Sequence, residues 1–135
     1  MDKIIAIDLG LKRIGLAYSA DGSFTTPLPA IERKNRNQAA AELRKILEYW
    51  EIKTIVIGVP MGGDSEEVMR RRITHFLTLV NFDAKVIYQD ENESSIEAEE
   101  LFKGKMRAIR DGRVDSLAAK IILDRWLTSA LNSPI

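Results

Sequence analysis

The spacing of apolar residues changes period several times along the chain, and each change marks an element. Ile4-Ile5-Ala6-Ile7 runs into Asp8, and Ile14-Gly15-Leu16-Ala17-Tyr18 follows a polar turn holding Gly10, Lys12 and Arg13. Both runs are too short for helices and read as strands, over 3–9 and 13–19. Asp21-Gly22 is a strong hairpin dipeptide, so a third antiparallel strand is expected over 23–28, ended by Pro27 and Pro29. From 37 to 51 the apolar positions are Ala40, Leu43, Ile46, Leu47 and Trp50, the stripe of a helix that faces a core. Thr54-Ile55-Val56-Ile57-Gly58-Val59 has no alternation and is rich in β-branched residues. That pattern predicts a strand covered on both faces, central in a partly parallel sheet and stopped by Pro60.

The second half alternates helix and strand. Met61-Gly62-Gly63 leads to Asp64 and Ser65, either of which can cap a helix running to about Val80. Its inward face is Val68 or Met69, Ile73, Phe76, Leu77 and Val80. A glycine loop entering a helix is a weak phosphate signal, but no Gly-Lys-Ser/Thr follows, so capping is the simpler explanation. A strand over 85–89 ends on Asp90-Glu91, and Ser94, Ser95 and Glu97 open an acidic amphipathic helix. The last helix, over 113–131, is apolar on a wide arc through Val114, Leu117, Ala118, Ile121, Ile122 and Leu123, and must pack on the sheet. The order β-β-β-α-β-α-β-α-α defines an α/β chain with an antiparallel opening.

Composition narrows the reading. At 135 residues, 45% hydrophobic and 30% charged, the chain has room for one core, a single domain over 1–135. It has no cysteine, which excludes disulfides and thiolate metal sites and suits a reducing cytoplasm. No leader precedes the first strand and no apolar run reaches membrane-spanning length, so a cytoplasmic protein is expected. The 20 basic and 20 acidic side chains cancel, so any attraction for nucleic acid must be local. Arg70-Arg71-Arg72 is one basic run. Lys103, Lys105, Arg107, Arg110 and Arg113 form another, broken only by Asp111. A solvated face and a phosphate-contacting surface fit these runs about equally.

Three carboxylates stand at element ends. Asp8 closes the first strand, where it is held rigidly yet reaches solvent, although Asp is also a common turn former. Glu91 lies where a later buried strand runs out, whereas Glu93, Glu97, Glu99 and Glu100 suit the dipole or solvated face of the helix that follows. Asp115 sits in the first turn of the last helix beside Ser116, where capping or the helix dipole also explains it. His75 is the only histidine and lies inside a helix, a structural residue rather than part of a triad.

Together with the flanking motifs, these carboxylates resemble the YqgF/RuvX family of Holliday junction resolvases and pre-ribosomal-RNA nucleases, within the ribonuclease H-like fold. The motifs are Ala6-Ile7-Asp8-Leu9-Gly10-Leu11-Lys12-Arg13-Ile14-Gly15-Leu16-Ala17, Ile57-Gly58-Val59-Pro60, Asp90-Glu91 and Val114-Asp115-Ser116-Leu117-Ala118-Ala119. The resemblance implies a five-stranded mixed sheet, its first three strands antiparallel, flanked by helices on both faces. It implies that Asp8, Glu91 and Asp115 are catalytic and bind one or two divalent cations, Mg2+ or Mn2+, as hard oxygen donors suit. Lys12, Arg13, Arg110 and Arg113 would then hold nucleic acid.

The implied function is metal-dependent phosphodiester hydrolysis in 5′-end maturation of pre-16S rRNA. The alternatives are resolution of four-way DNA junctions and a catalytically silent RNA-binding assembly factor. Asn92 stands where the family usually has Arg, with Glu93 after it, and Ala118 replaces a carboxylate that RuvC-type resolvases carry. Asp-x-Gly also opens a phosphate hairpin in actin-like ATPases, but those need two such domains. A monomer or a homodimer is expected, the latter through an apolar edge next to Phe24.

Overall fold

The computed structural model describes residues 3–91 and 112–131. Its elements are β1 (Ile4–Leu9), β2 (Arg13–Ser19), β3 (Thr26–Glu32), α1 (Arg36–Tyr49), β4 (Thr54–Val59), α2 (Ser65–Val80), β5 (Lys85–Asp90) and α3 (Gly112–Leu131). The strands form one five-stranded sheet in the order β3-β2-β1-β4-β5. β1, β2 and β3 pair antiparallel, while β1–β4 and β4–β5 pair parallel. The parallel half brings the C-terminal ends of β1, β4 and β5 to one edge of the sheet.

Strand alternation sorts the core into two layers. Ile5, Ile7, Leu9, Ile55, Ile57 and Val59 pack on one face with Leu43 and Leu47 of α1 and Ile73, Phe76 and Val80 of α2. Ile4, Ala6, Ala17 and Val56 pack on the other with Ala119, Ile122, Leu123 and Leu127 of α3. Small residues on the second face let α3 lie close to the sheet. Because both faces are covered, β1 is apolar from Ile4 to Ile7 and β4 from Ile55 to Val59, as parallel central strands require.

β3 departs from the expected 23–28. It runs through Pro27 and Pro29 to Glu32, pairing Leu28 with Leu16 and Ile31 with Ile14. β3 is an edge strand, where a missing N–H costs no ladder bond if it faces away from the neighbour, so proline does not end it. Asp21 instead holds residues 21–24 as a turn, its carboxylate accepting from the Ser23 and Phe24 N–H groups. Phe24, beside that edge, is exposed.

The helix starts are also specific. Asn35 caps α1 in a reciprocal box with Gln38. At α2 the expected side-chain cap from Asp64 is not made. Glu66 accepts from the Gly62 N–H at 2.9 Å instead. The helix expected to open at Ser94 lies outside the described residues, as do Asn92, Glu93, Lys103, Lys105, Arg107 and Arg110. Among the described residues no helix is long and apolar enough to cross a membrane.

Candidate active site

The last turn of β1 and the first turn of α3 meet because two positions lack a side chain. Gly15 lies opposite Asp8 in the β1–β2 ladder. A Cβ there would overlap the Asp115 carbonyl, so glycine lets the start of α3 rest directly on the strand. Gly58 plays the same part on β4, where a Cβ would fall 3.0 Å from both Cβ and Oε2 of Glu91. Glycine in a strand interior marks close approach, and here it admits a carboxylate.

Ser116 fixes the helix start. The β2–β3 register shifts between Ile14 and Leu16. Ser116 Oγ meets the shifted backbone, accepting from Leu16 N–H at 3.3 Å and donating to the Leu28 carbonyl at 2.6 Å. Ser116 is fully buried, so these bonds are required rather than optional. The preceding residue, Asp115, is thereby held over the end of the sheet near Asp8.

Asp8 alternates with Ile4 and Ala6 and therefore lies on the α3 face of β1. The ladder continues one residue past β5, with the Glu91 N–H donating to Val59 O at 3.0 Å, which sends the Glu91 side chain over Gly58 on that face. The Asp8 and Glu91 carboxyls lie close enough to interact. Burial pushes the Glu91 carboxyl above its ordinary range, the interaction with Asp8 opposes that rise, and Asp90 nearby adds to it. Two carboxylates brought together repel, and a cation between them would relieve that repulsion.

Asp115 has a different partner. Arg13 Nε donates to its Oδ2 at 2.8 Å, with both side chains mostly buried. Arg13, expected to hold nucleic acid, is thus engaged with the third carboxylate. Lys12 is exposed on the β1–β2 turn, and Arg113 is exposed in the first turn of α3. Among the described residues no group of three or more Asp, Glu and His side chains gathers where a metal ion would sit. Asp8 and Glu91 alone do suit Mg2+, which keeps several waters and is commonly held by one or two carboxylates together with substrate phosphates.

His75 is exposed on α2 and meets Arg36 of α1 at 3.1 Å. Gly58 was the overlooked residue of the carboxylate site, and an unexplained glycine inside an apolar strand was the signal for it. Arg33 and Arg36, which meet Arg71 and Arg72 across α1 and α2, were also missed. Nothing local in the sequence joins those two pairs.

A mixed sheet in this order, with carboxyls at the ends of its first and last strands and a terminal helix across one face, defines the ribonuclease H-like class. Solved structures agree on the fold. The fowlpox virus Holliday junction resolvase superposes with a TM-score of 0.54 at 15% identity, covering 95% of this chain and 99% of its own. T. thermophilus RuvC in complex with a Holliday junction substrate gives 0.54 at 11% identity, with 98% of each chain covered. The RuvX family model, described as Holliday junction resolvase, matches residues 2–129, and the chain belongs to that family. A relative from Sulfurimonas denitrificans is 58% identical over 93% of this chain and 96% of its own. One from Campylobacter lari is 48% identical over 90% and 94%. Both carry the name "Putative pre-16S rRNA nuclease".

Proposed function

We propose that this protein is a metal-dependent nuclease that hydrolyses phosphodiester bonds in pre-16S ribosomal RNA during maturation of its 5′ end. The observation that carries the reading is the half-buried Asp8–Glu91 carboxyl pair, with Glu91 held over Gly58 and its carboxyl pushed above its ordinary range. The names of the two relatives supply the substrate.

In this reading Asp8 and Glu91 hold Mg2+ or Mn2+, with Asp115 as the third acidic residue of the catalytic group. The bound cation supplies charge neutralisation at the phosphoryl oxygens and makes a water more acidic. The remaining work belongs to the chain. Asp8 is kept rigid by its place in the β1–β2 ladder, and Glu91 by the backbone bond to Val59. Arg13 orients Asp115 and balances its charge, so that a third carboxylate can join the group without adding a full negative charge to it. Lys12 and Arg113, exposed at the rim, hold backbone phosphates on either side of the bond to be cut. Arg110 has the same role in this proposal and lies outside the described residues.

The second reading is cleavage of four-way DNA junctions, favoured by the family description and by the fold shared with junction resolvases. Incubating the purified protein with labelled pre-16S RNA and with a synthetic four-way DNA junction, in Mg2+, Mn2+ or chelator, separates the two. The proposal expects metal-dependent cutting of the RNA. Cutting of the junction alone would transfer the assignment to the second reading. Binding of RNA without cutting would mean an assembly factor.

A further inference from the structure

We propose that the cleft between the β1–β2 turn, α1 and α2 is a second phosphate site, which holds the nucleic-acid backbone away from the bond being cut. The cleft is a cavity of about 410 Å³ lined by Leu9, Leu11 and Phe76 and by Arg33, Arg36, Arg71, Arg72 and His75. Its described lining contains no carboxylate. It opens on the α1–α2 face of the sheet, because Leu9 packs there while Asp8, one residue earlier, faces α3.

The arginines are placed rather than merely exposed. Arg33 Nη1 donates to the Gly10 carbonyl at 2.6 Å, and its guanidinium lies 5.4 Å from the centroid of the Phe76 ring. Arg36 Nη1 lies 3.1 Å from His75 Nε2, so the first turn of α1 is tied to α2 at the cleft. Burial lowers the Arg33 guanidinium below its ordinary value, and the charges of Arg72 and then Arg36 lower it further. Like charges held this close favour an anion between them. Planar guanidinium groups are the donors that grip phosphate oxygens best. An ordinary solvated face would interleave acids, as the exposed Arg71–Glu67 pair does at the outer margin.

The same turn connects the cleft with the carboxylates. Arg33 N–H donates to Lys12 O at 2.8 Å, and Gly10 N–H donates to Arg13 O at 3.0 Å. Arg13 in turn holds Asp115. A strand leaving the Asp8–Glu91 pair over exposed Leu11 and Lys12 reaches the arginines next. The identity of the ligand as nucleic acid rests on the nuclease reading, whereas the affinity of the cleft for phosphate does not.

The test is fluorescence anisotropy of a labelled pre-16S RNA fragment with the full chain, in chelator and over a series of salt concentrations. Arg36→Ala and Arg72→Ala are each expected to weaken binding about three- to tenfold and to reduce the salt slope by about 1. Arg72→Lys should keep most of the slope. Lys85→Ala, at the opposite end of β5, should match the wild type. Unchanged affinity and slope in both arginine variants would overturn the proposal, as would an equal loss in Lys85→Ala. Loss of thermal stabilisation by inorganic phosphate with RNA binding intact would also overturn it, assigning the cleft to a free anion. Wild-type cleavage with unmoved binding in the variants would remove the cleft and keep the nuclease. Weakened binding in the variants with no wild-type cleavage would do the reverse.

Discussion

On the α3 face of the sheet, two acidic positions a short way apart are treated in opposite ways. Asp115 meets a guanidinium at 2.8 Å, so its charge is balanced by the chain itself. Glu91 meets another carboxyl, and burial and Asp90 both disfavour its ionised form. The first arrangement is a finished structural contact. The second brings two acidic groups together, and a divalent cation between Asp8 and Glu91 would offset their repulsion. In the proposed function the Asp8–Glu91 pair carries the cation while Asp115 joins the catalytic group already balanced by Arg13, and substitution should separate the two.

The largest effect should come from Glu91→Gln, which keeps the shape and removes the charge. Cleavage is expected to fall at least about a hundredfold, reflecting the several kcal/mol a bound cation contributes at a phosphoryl group. Stability should move the other way. The folded state holds the Glu91 carboxyl above its ordinary value of 4.5 and so binds its proton more tightly than the unfolded chain does. Without a cation, that contribution is full below the ordinary value and is lost as pH rises through the folded one. Glutamine does not titrate. In chelator at neutral pH the variant should melt a few degrees above the wild type, and the gap should close toward pH 4.5. A thermal melt with and without Mg2+ checks this, and a lower melting temperature for the variant in chelator would contradict the account.

Gly15→Ala attacks the seat of α3 on the sheet, which positions Asp115. The new Cβ meets backbone rather than a flexible side chain, so relief requires moving the helix. A loss of about 3 kcal/mol is expected, seen as a fall in melting temperature of about 10 °C or more.

Arg13→Ala leaves Asp115 without its counter-charge and should cost about 1–3 kcal/mol in a denaturant titration. Arg13→Lys should recover only part of it, since an ammonium cannot reproduce the Nε contact. The smallest effect is expected at Arg71, whose pair with Glu67 is 3.6 Å long with both side chains largely exposed. Arg71→Ala should change stability by no more than about 0.5 kcal/mol. A loss as large as that of Arg13→Ala would mean that burial does not separate the two kinds of pair.

The parts of the fold that could be read from the sequence are those where one local signal dominates. β1, β2, β4 and β5 announce themselves as apolar runs with polar stops, and the apolar stripe from Ala40 to Trp50 announces α1. β3 was misplaced because the proline rule holds for central strands, and nothing local reveals that this strand is at the edge. Asp8 and Glu91 were visible as carboxylates at strand ends, yet their meeting depends on β4 lying parallel between β1 and β5. Sequence spacing alone does not decide that order. The Arg13–Asp115 contact spans 102 positions and has no local sign. The arginine cleft has none either, since it forms only where α1 packs against α2.

The central claim is that the Asp8–Glu91 pair makes this protein a nuclease. Its most direct test is cleavage of labelled pre-16S RNA by the wild type and Asp8→Asn side by side, in Mg2+ and in chelator, with circular dichroism to verify that both are folded. The account predicts cutting by the wild type in Mg2+ only, and none by the folded variant. Equal cutting by Asp8→Asn, or cutting that persists in chelator, would contradict it.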